Sequence, residues 1–244
     1  MVISHRGKNT GAPENTLAAF ENALTLGADG IECDLRLTRD HHVVVHHDYT
    51  IRHNGRRVLV SRIGLPELQR AGGNGAERLL TLDELLSFVR ERRIEAFLEV
   101  KSASPHLAEA VCAALKAHDL WGQVHIIGFS IFIKTALALQ RKYPGLRVVP
   151  LLNMPAFAYV KMPPRSYGVF VGWIDGMIGS ERIFKLTTPR GRLAQLREHY
   201  EKQGVKVFAG VINRLDDLRA FREAGYPLVV TDNVLAAKSV FRAS

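Results

Sequence analysis

The strongest constraint on the fold is an alternation of short apolar runs with longer amphipathic segments along the whole chain. The apolar runs are rich in Val, Ile and Leu and carry few alternating polar residues, which is typical of strands buried on both faces. They lie at 2–5, 30–35, 43–47, 96–100, 124–128, 146–152, 168–171, 205–211 and 227–231. The pattern therefore predicts a mainly parallel sheet covered by helices.

The amphipathic segments have the spacing of helices. In 14–26 apolar residues recur three or four positions apart before Gly27, and in 81–92 Thr81 and Glu84 fit a capping box. Further helices are predicted at 105–118, 131–142, 190–203, 214–224 and 233–242. Seven or eight β-then-α units, with no G-x-G-x-x-G after the first strand, favour an α/β TIM (β/α)8 barrel over an open doubly wound sheet. We expect one such domain spanning 1–244.

The stretch 49–80 interrupts this rhythm. It shows no clear helix and contains Gly72-Gly73-Asn74-Gly75. Loops of this length inside compact domains are usually functional or disordered. The stretch follows a predicted strand, and barrels keep their chemistry at the C-terminal ends of strands. We therefore expect this stretch, which comes after the second barrel strand region, to start at the end of the barrel that carries the chemistry.

The charge balance limits the partners. A formal net charge of +9 and a pI near 9.8 favour nucleic acid, a membrane surface or a phosphorylated small molecule. No nucleic-acid-binding signature is found and the basic residues are dispersed, so we expect no nucleic acid partner. The charge alone does not choose between a phosphorylated small molecule and peripheral contact with an anionic membrane. The sequence carries no signal for an oligomeric state.

Cysteine content and hydropathy bear on location. Cys33 and Cys112 form no disulfide framework, so both thiols are expected to serve in packing within a reducing compartment. No apolar segment reaches the length of a membrane span, and no signal peptide is visible at the N-terminus. These observations predict a soluble cytoplasmic protein.

Carboxylates cluster on two predicted strands. Side chains two apart on a strand share a face, which pairs Glu32 with Asp34 and Glu99 with Lys101. In one barrel the three carboxylates can converge at its mouth, and such an oxygen set suits Mg²⁺ or Ca²⁺ better than Zn²⁺. A rim of solvated carboxylates, or an internal Glu99–Lys101 ion pair, would give the same pattern.

Histidines mark two further strand ends. His5-Arg6-Gly7 closes the first strand, where a histidine and a fixed cation suit a proton donor beside a phosphate anchor; a lone His is often structural. The segment 41–48 holds four of the ten histidines. Alternation places His46 and His47 on opposite faces, so only one of them can face a site.

These motifs resemble those of the glycerophosphodiester phosphodiesterase family. The N-terminal matches are His5-Arg6-Gly7, Pro13-Glu14-Asn15-Thr16, Ala19-Phe20, Gly27-Ala28-Asp29, Ile31-Glu32-Cys33-Asp34, Thr38-Arg39-Asp40, Val44-Val45 and His47-Asp48. Later matches are Thr81-Leu82-Asp83-Glu84-Leu85, Leu98-Glu99-Val100-Lys101, Gly128-Phe129-Ser130 and Thr231-Asp232. They keep the family order and cover nearly the whole chain.

The resemblance implies a TIM-barrel hydrolase that cleaves glycerophosphodiesters to glycerol 3-phosphate and an alcohol with a divalent cation. It assigns the metal ligands, the acid–base pair and the phosphate-binding residues as follows: Glu32, Asp34 and Glu99 bind Mg²⁺ or Ca²⁺, His5 and His47 move protons, and Arg6 and Lys101 hold the phosphate. The family histidine directly before Asp48 selects His47 over His46. The segment 49–80 takes the place of the small family insertion over the active site.

Three departures from the family pattern concern the pocket. Arg52-His53-Asn54-Gly55 lacks the usual threonines, Leu80 replaces a common proline, and 208–213 replaces an aromatic Trp-Thr-Val-Asn motif. Trp173 lies elsewhere and is interpreted as packing or pocket wall. These differences bear on substrate identity more than on reaction type.

Two alternative functions compete with the leading one. A lysophospholipase D would need an acyl groove, for which Met154, Phe157, Tyr159 and Met162 are candidates, although packing is the usual role of such residues. A non-catalytic barrel that binds phosphate ligands is the other alternative. It is disfavoured because every expected acid, base and metal position is present.

Overall fold

A computed structural model describes residues 1–53, 55–71, 78–152, 161–174 and 176–241. Within these ranges the strands are β1 (Val2–His5), β2 (Gly30–Leu37), β3 (Val43–Val45), β4 (Thr50–His53), β5 (Arg56–Leu59), β6 (Glu95–Val100), β7 (Val124–Phe129), β8 (Arg147–Leu151), β9 (Gly168–Val171), β10 (Lys206–Ala209) and β11 (Val229–Thr231). All nine predicted strands are present.

Eight of the strands form a closed parallel barrel. The order around it is β1, β2, β6, β7, β8, β9, β10 and β11, and β11 pairs again with β1. The predicted TIM barrel is therefore confirmed. The predicted strand at 43–47 exists as the shorter β3, but it pairs antiparallel with the end of β2 and lies outside the barrel. That the chain forms a single domain over 1–244 stays a prediction.

Helices connect the barrel strands. In the described residues they are α1 (Leu17–Thr25), α2 (Leu65–Ala71), α3 (Leu82–Arg92), α4 (Pro105–His118), α5 (Ser130–Leu139), α6 (Ser180–Thr187), α7 (Leu193–Glu201), α8 (Leu215–Glu223) and α9 (Val234–Val240). The seven predicted helices are all present, and the Thr81–Glu84 capping box forms as expected. Helix α6 was not predicted; its N-cap is Gly179, which provides no side-chain cap.

The insertion contains more structure than the sequence indicated. The expectation of no clear helix between 47 and 81 was wrong, because β4 and β5 form an antiparallel hairpin and α2 follows it. A small apolar cluster supports these elements: Val44, Ile51, Val60, Ile63, Leu68 and Leu79. Asp40 accepts hydrogen bonds from the backbone N–H of Leu65 at 3.0 Å, which fixes the start of α2. The predicted Gly72–Gly75 run lies outside the described residues.

The core has an outer layer between strands and helices and an inner layer inside the barrel. Both cysteines are free and buried in the outer layer, in agreement with packing roles. The barrel interior is filled by Ile3, Phe97, Ile127, Val149, Phe170, Phe208, Leu228 and Val230. Because the interior is packed, it leaves no room for a ligand, and a TIM-barrel site is expected above it, at a barrel mouth.

Two remaining sequence expectations concern the membrane. No helix among the described residues is long and apolar enough to cross a membrane, and the cytoplasmic location stays a prediction. Of the four candidates for an acyl groove, Met154, Phe157 and Tyr159 lie outside the described residues. Met162 is buried and packs with the outer core.

Candidate active site

Strand register brings the predicted site residues to one end of the barrel. His5 is the last residue of β1 and pairs with Glu32 on β2, while Asp34 pairs with Glu99 on β6. Lys101 follows the end of β6 directly. One carboxylate oxygen from each of Glu32, Asp34 and Glu99 lies within 4.8 Å of the other two. Alternation along neighbouring parallel strands is therefore enough to build an acidic cluster at the C-terminal mouth.

The acidic cluster lacks complete charge compensation. Burial, reinforced by the neighbouring Asp34, raises the pKa of Glu32 well above its ordinary value. The pKa of Glu99 is also raised, chiefly by burial. Glu32 Oε2 and Glu99 Oε1 are buried without a hydrogen-bond partner among the described residues. Three buried carboxylates with unused oxygens fit a divalent cation with oxygen ligands, so the cluster could hold a metal ion.

Two cations lie against Asp34. Lys101 Nζ is 3.2 Å from Asp34 Oδ1, and Arg6 Nε is 2.9 Å from Asp34 Oδ2. Burial alone would raise the pKa of Asp34, but Lys101 and Arg6 outweigh it and lower this pKa to about 2. Asn15 donates a further hydrogen bond to Asp34 Oδ2 at 3.1 Å. Asp34 therefore stays ionised and fixes both cations at the mouth.

Lys101 also forms an ion pair with a second carboxylate of the acidic cluster, that of Glu99. Its Nζ lies 2.5 Å from Glu99 Oε2. Burial lowers the pKa of Lys101, but the attraction of Glu99 and Asp34 is larger in sum and raises it. The internal Glu99–Lys101 ion pair considered from the sequence is thus present, and it coexists with the converging carboxylates.

His5 lies between two carboxylates. Its Nδ1 is 2.6 Å from Asp232 Oδ1, and its Nε2 is 3.7 Å from Glu32 Oε2. Asp232 is itself held by Asn213, whose Nδ2 donates to Asp232 Oδ2 at 2.8 Å and whose Oδ1 accepts from the Asp232 backbone at 2.7 Å. A carboxylate on Nδ1 keeps the proton there and leaves Nε2 to face the mouth.

The two adjacent histidines separate as alternation requires. His46 is 5% exposed, and its Nε2 lies 3.2 Å from the Thr50 carbonyl oxygen. His47 lines the mouth, with its Nδ1 3.0 Å from Asp48 Oδ1. Burial lowers the pKa of His47, and attraction to Asp34 only partly opposes this.

Arg36 supports the site from below and was missed by the sequence analysis. Its Nη1 donates to the Lys101 carbonyl at 3.1 Å, and its Nε donates to the His47 carbonyl at 3.1 Å. Its guanidinium lies 3.8 Å from the ring centroid of Tyr49. One guanidinium thus ties together the backbones that carry His47 and Lys101. Its position two residues after Asp34, on the same face of β2, was the available signal.

Asp232, Asn15 and Asn213 were also given no role in the sequence analysis. The available signal for Asp232 was its position directly after the last barrel strand, at the same end as His5. The two asparagines act through carboxylates, Asn15 through Asp34 and Asn213 through Asp232. Their polar contacts span the barrel mouth and are not visible in any local pattern.

All the predicted site residues except Asp34 line one cavity of about 180 Å³, called here the inner cavity. Its polar side is formed by His5, Arg6, Glu32, His47, Glu99 and Lys101. The opposite wall is apolar and includes Phe170, Trp173 and Val211. Trp173 also packs edge-on against Phe184 at 6.0 Å between ring centroids, so it serves as both packing and pocket wall.

Comparison with known proteins agrees with this geometry. The model of the "Glycerophosphoryl diester phosphodiesterase family" matches residues 5–236. A glycerophosphodiester phosphodiesterase of Caldanaerobacter subterraneus subsp. tengcongensis is 29% identical over 248 residues, covering 96% of this chain and 94% of the relative. The chain therefore belongs to the glycerophosphoryl diester phosphodiesterase family, which confirms the predicted family and the predicted class of enzyme.

Solved structures show the same fold. A glycerophosphodiester phosphodiesterase of Thermotoga maritima superposes with a TM-score of 0.72 at 25% identity, over 96% of this chain and 95% of that one. An Oleispira antarctica phosphodiesterase, solved in complex with the product sn-glycerol-3-phosphate, gives a TM-score of 0.75 at 21% identity, over 99% and 96% of the two chains.

Proposed function

We propose that this enzyme hydrolyses glycerophosphodiesters to glycerol 3-phosphate and an alcohol, using two histidines and a bound Mg²⁺ or Ca²⁺. The observation that carries the proposal is the meeting of two histidines, two cations and two buried carboxylates in one cavity, with Asp34 completing the acidic cluster. The family membership of the chain supports this reaction class. The product bound to the Oleispira antarctica relative supports glycerol 3-phosphate as the product here.

Arg6 and Lys101 are proposed to hold the phosphate. Both line the inner cavity, and both are oriented by Asp34. The neighbouring carboxylates keep Lys101 protonated by raising its pKa, so it stays a cation at neutral pH. Fixed cations aimed at the non-bridging oxygens stabilise charge that builds on the phosphoryl group in the transition state.

His5 and His47 are proposed to move the two protons of the reaction. The nucleophile, whether water or the neighbouring glycerol hydroxyl, must lose a proton, and the departing alkoxide must gain one. Both histidines line the inner cavity, and each has a carboxylate on its Nδ1. One histidine accepts the proton of the nucleophile and the other protonates the leaving oxygen.

Glu32, Asp34 and Glu99 are proposed to hold the divalent cation. Their oxygen donors and the unpartnered oxygens of Glu32 and Glu99 suit Mg²⁺ or Ca²⁺. A bound cation of this kind supplies Lewis-acid stabilisation to phosphoryl oxygens. The carboxylates of this chain position and retain it.

A substrate panel tests the proposal. The enzyme is freed of metal with EDTA, resupplied with Mg²⁺ or Ca²⁺, and assayed for release of glycerol 3-phosphate from glycerophosphocholine, glycerophosphoethanolamine and glycerophosphoglycerol. Choline release from lysophosphatidylcholine is measured in parallel. Turnover of the deacylated substrates, lost in His47→Ala, is expected. Faster turnover of lysophosphatidylcholine would favour the lysophospholipase D alternative, and binding without turnover would favour a non-catalytic barrel.

A further inference from the structure

A second cavity lies beside the inner one and shares part of its wall. It has a volume of about 370 Å³ and is called here the outer cavity. His47, Glu99, Lys101 and Phe129 line both cavities. The rest of the outer wall comes from Arg36, Asp48 and Phe132, and from residues 49, 50 and 57 of the insertion.

The shared wall determines how a phosphodiester can be placed. Such a substrate carries two alcohol groups on one phosphorus atom, and the phosphate is proposed to bind Lys101. Because Lys101 and His47 line both cavities while His5, Arg6 and Glu32 line only the inner one, the two alcohols can occupy different cavities. A substrate could then place its glycerol 3-phosphate half in the inner cavity, beside His5 and the apolar wall, and its leaving alcohol in the outer cavity.

The outer cavity is poor in available negative charge. Asp48 is its one acidic residue outside the metal-binding cluster, among the described lining residues. Its carboxylate already engages His47 Nδ1 at 3.0 Å and Arg57 Nη2 at 3.7 Å. A cationic head group entering this cavity would therefore compete with two partners for that carboxylate.

The same cavity is rich in positive charge. Arg36 donates to backbone carbonyls and has no carboxylate partner within salt-bridge distance among the described residues. It also covers one face of Tyr49, a ring that could otherwise bind a quaternary ammonium. The Arg57 side chain is 73% exposed, so its guanidinium is free to reorient toward a ligand.

We propose that the outer cavity binds the leaving alcohol and selects polyhydroxylated or anionic head groups over quaternary ammonium head groups, with Arg57 as the specificity-determining residue. This inference rests on the proposed function. Guanidinium donors bind hydroxyl and anionic oxygens directly. They repel a trimethylammonium group, which has no hydrogen-bond donor or acceptor.

Two substrates of opposite head-group chemistry test the selection. We would measure kcat/KM for glycerophosphoinositol and for glycerophosphocholine through the common product, glycerol 3-phosphate. The parent enzyme is expected to favour glycerophosphoinositol by about tenfold or more, within the range that a few polar contacts supply. Arg57→Gln should reduce that ratio several-fold, and Arg57→Glu should bring it to unity or reverse it.

Arg56→Glu is the matched control. Arg56 is the exposed neighbour of Arg57 on β5 and lines neither cavity. Its replacement by Glu changes the net charge by the same amount as Arg57→Glu. Long-range attraction of substrate would change equally in both variants and weaken with salt. A local contact changes the ratio only in the Arg57 variants, and the change persists at 0.3 M NaCl.

The outcomes separate the two proposals. Equal kcat/KM for both substrates in the parent, a preference for glycerophosphocholine, or equal effects of Arg56→Glu and Arg57→Glu on the ratio would each overturn the head-group selection while leaving hydrolysis established. No release of glycerol 3-phosphate from either substrate would instead overturn the proposed function itself.

Discussion

His5 and Asp232 are 227 residues apart in the chain, yet His5 Nδ1 lies 2.6 Å from Asp232 Oδ1. The first and last barrel strands are neighbours, so closure of the barrel forms this pair. Asp232 also accepts from Asn213, which fixes its orientation. A histidine that moves protons needs a defined tautomer and ring position, and this contact supplies both. In the proposed mechanism, Asp232 is therefore the positioning residue for His5.

We predict that Asp232→Asn lowers kcat by roughly 10²-fold, because the amide cannot hold the His5 tautomer and charge as the carboxylate does. Steady-state kinetics across pH 5 to 9 checks this, since loss of the carboxylate should change the pH profile as well as the rate. Asp83→Asn is the control: Asp83 Oδ1 lies 2.7 Å from His118 Nε2 in a pair that lines neither the inner nor the outer cavity. Equal kinetics in the two variants would contradict the assignment.

The acidic residues of the cluster differ in what they do for stability. Asp34 compensates both Arg6 and Lys101, so Asp34→Asn removes one carboxylate from each of two buried cations, and we expect a loss of roughly 3 kcal/mol in the free energy of unfolding. Glu32 is buried beside Asp34 and its pKa is raised. Removing its charge in Glu32→Gln should leave the metal-free enzyme as stable as the parent or more stable. Urea denaturation in EDTA measures both.

Added metal should make the parent more stable than Glu32→Gln. A cation that binds only the folded state stabilises it by mass action, by about 2.7 kcal/mol at a hundred times its Kd. The parent should gain stability in Mg²⁺ or Ca²⁺, whereas Glu32→Gln should gain little and should lose at least about 10²-fold in metal-dependent kcat. An equal gain in both proteins would exclude Glu32 as a ligand.

The barrel and the acidic cluster could be predicted from the sequence because both follow from local patterns. Strands buried on both faces form continuous apolar runs, and alternation shows which residues share a face. The motifs around Glu32 and Glu99 lie on β2 and β6, which pair in parallel, so the barrel alone brings them together. The choice of His47 also needed the family resemblance, because alternation separates His47 from His46 without showing which of them faces the mouth.

The secondary structure inside the insertion could not be predicted, because its elements are short and share a small core. The hairpin and α2 bury few side chains, among them Ile51 and Leu68, and this gives too little periodicity to recognise.

The contacts of Arg36 could not be predicted for a different reason. Its partners are the backbone carbonyls of His47 and Lys101, and no sequence pattern displays those.

Arg36 yields its own prediction. Arg36→Met removes the donors to two carbonyls at the barrel mouth, and leaving them unpaired costs roughly 1–3 kcal/mol. We expect the free energy of unfolding to fall by that amount, and kcat/KM to fall because His47 and Lys101 lose their common support. Arg39→Met, at an exposed position nearby, is the control. Unchanged stability and kinetics in Arg36→Met would show that the guanidinium contacts have no structural role.

His125 gives a prediction for stability against pH. Its ring is buried against Phe97, with 4.4 Å between centroids, and its Nε2 lies 2.5 Å from Glu95 Oε2. Burial lowers the pKa of His125 more than Glu95 raises it. The unfolded chain, with an ordinary pKa near about 6.5, therefore binds a proton first as the pH falls. The stabilising contribution is complete above that pH and is lost as the pH falls through the lower folded-state pKa.

We therefore expect the free energy of unfolding to decrease between pH 7 and pH 5, and to decrease less steeply in His125→Gln. Urea denaturation at pH 5, 6 and 7 is the measurement. His106→Gln, at an exposed histidine of α4, should follow the parent curve. If His125→Gln also parallels the parent, other groups cause the pH dependence.

The two thiols should be unreactive while the protein is folded. Cys33 and Cys112 are buried, and burial raises the pKa of both, that of Cys112 to about 12. Thiol reagents attack the thiolate, so the aromatic disulfide DTNB should modify neither thiol quickly at pH 8, and both should react in urea. Ser61→Cys, at an exposed position of the insertion, should add one fast-reacting thiol. Rapid modification of the native parent would mean that the outer core opens readily. Cys33 stands between Glu32 and Asp34 on β2, so its modification should abolish activity. The rate of activity loss should then equal the rate at which Cys33 is modified.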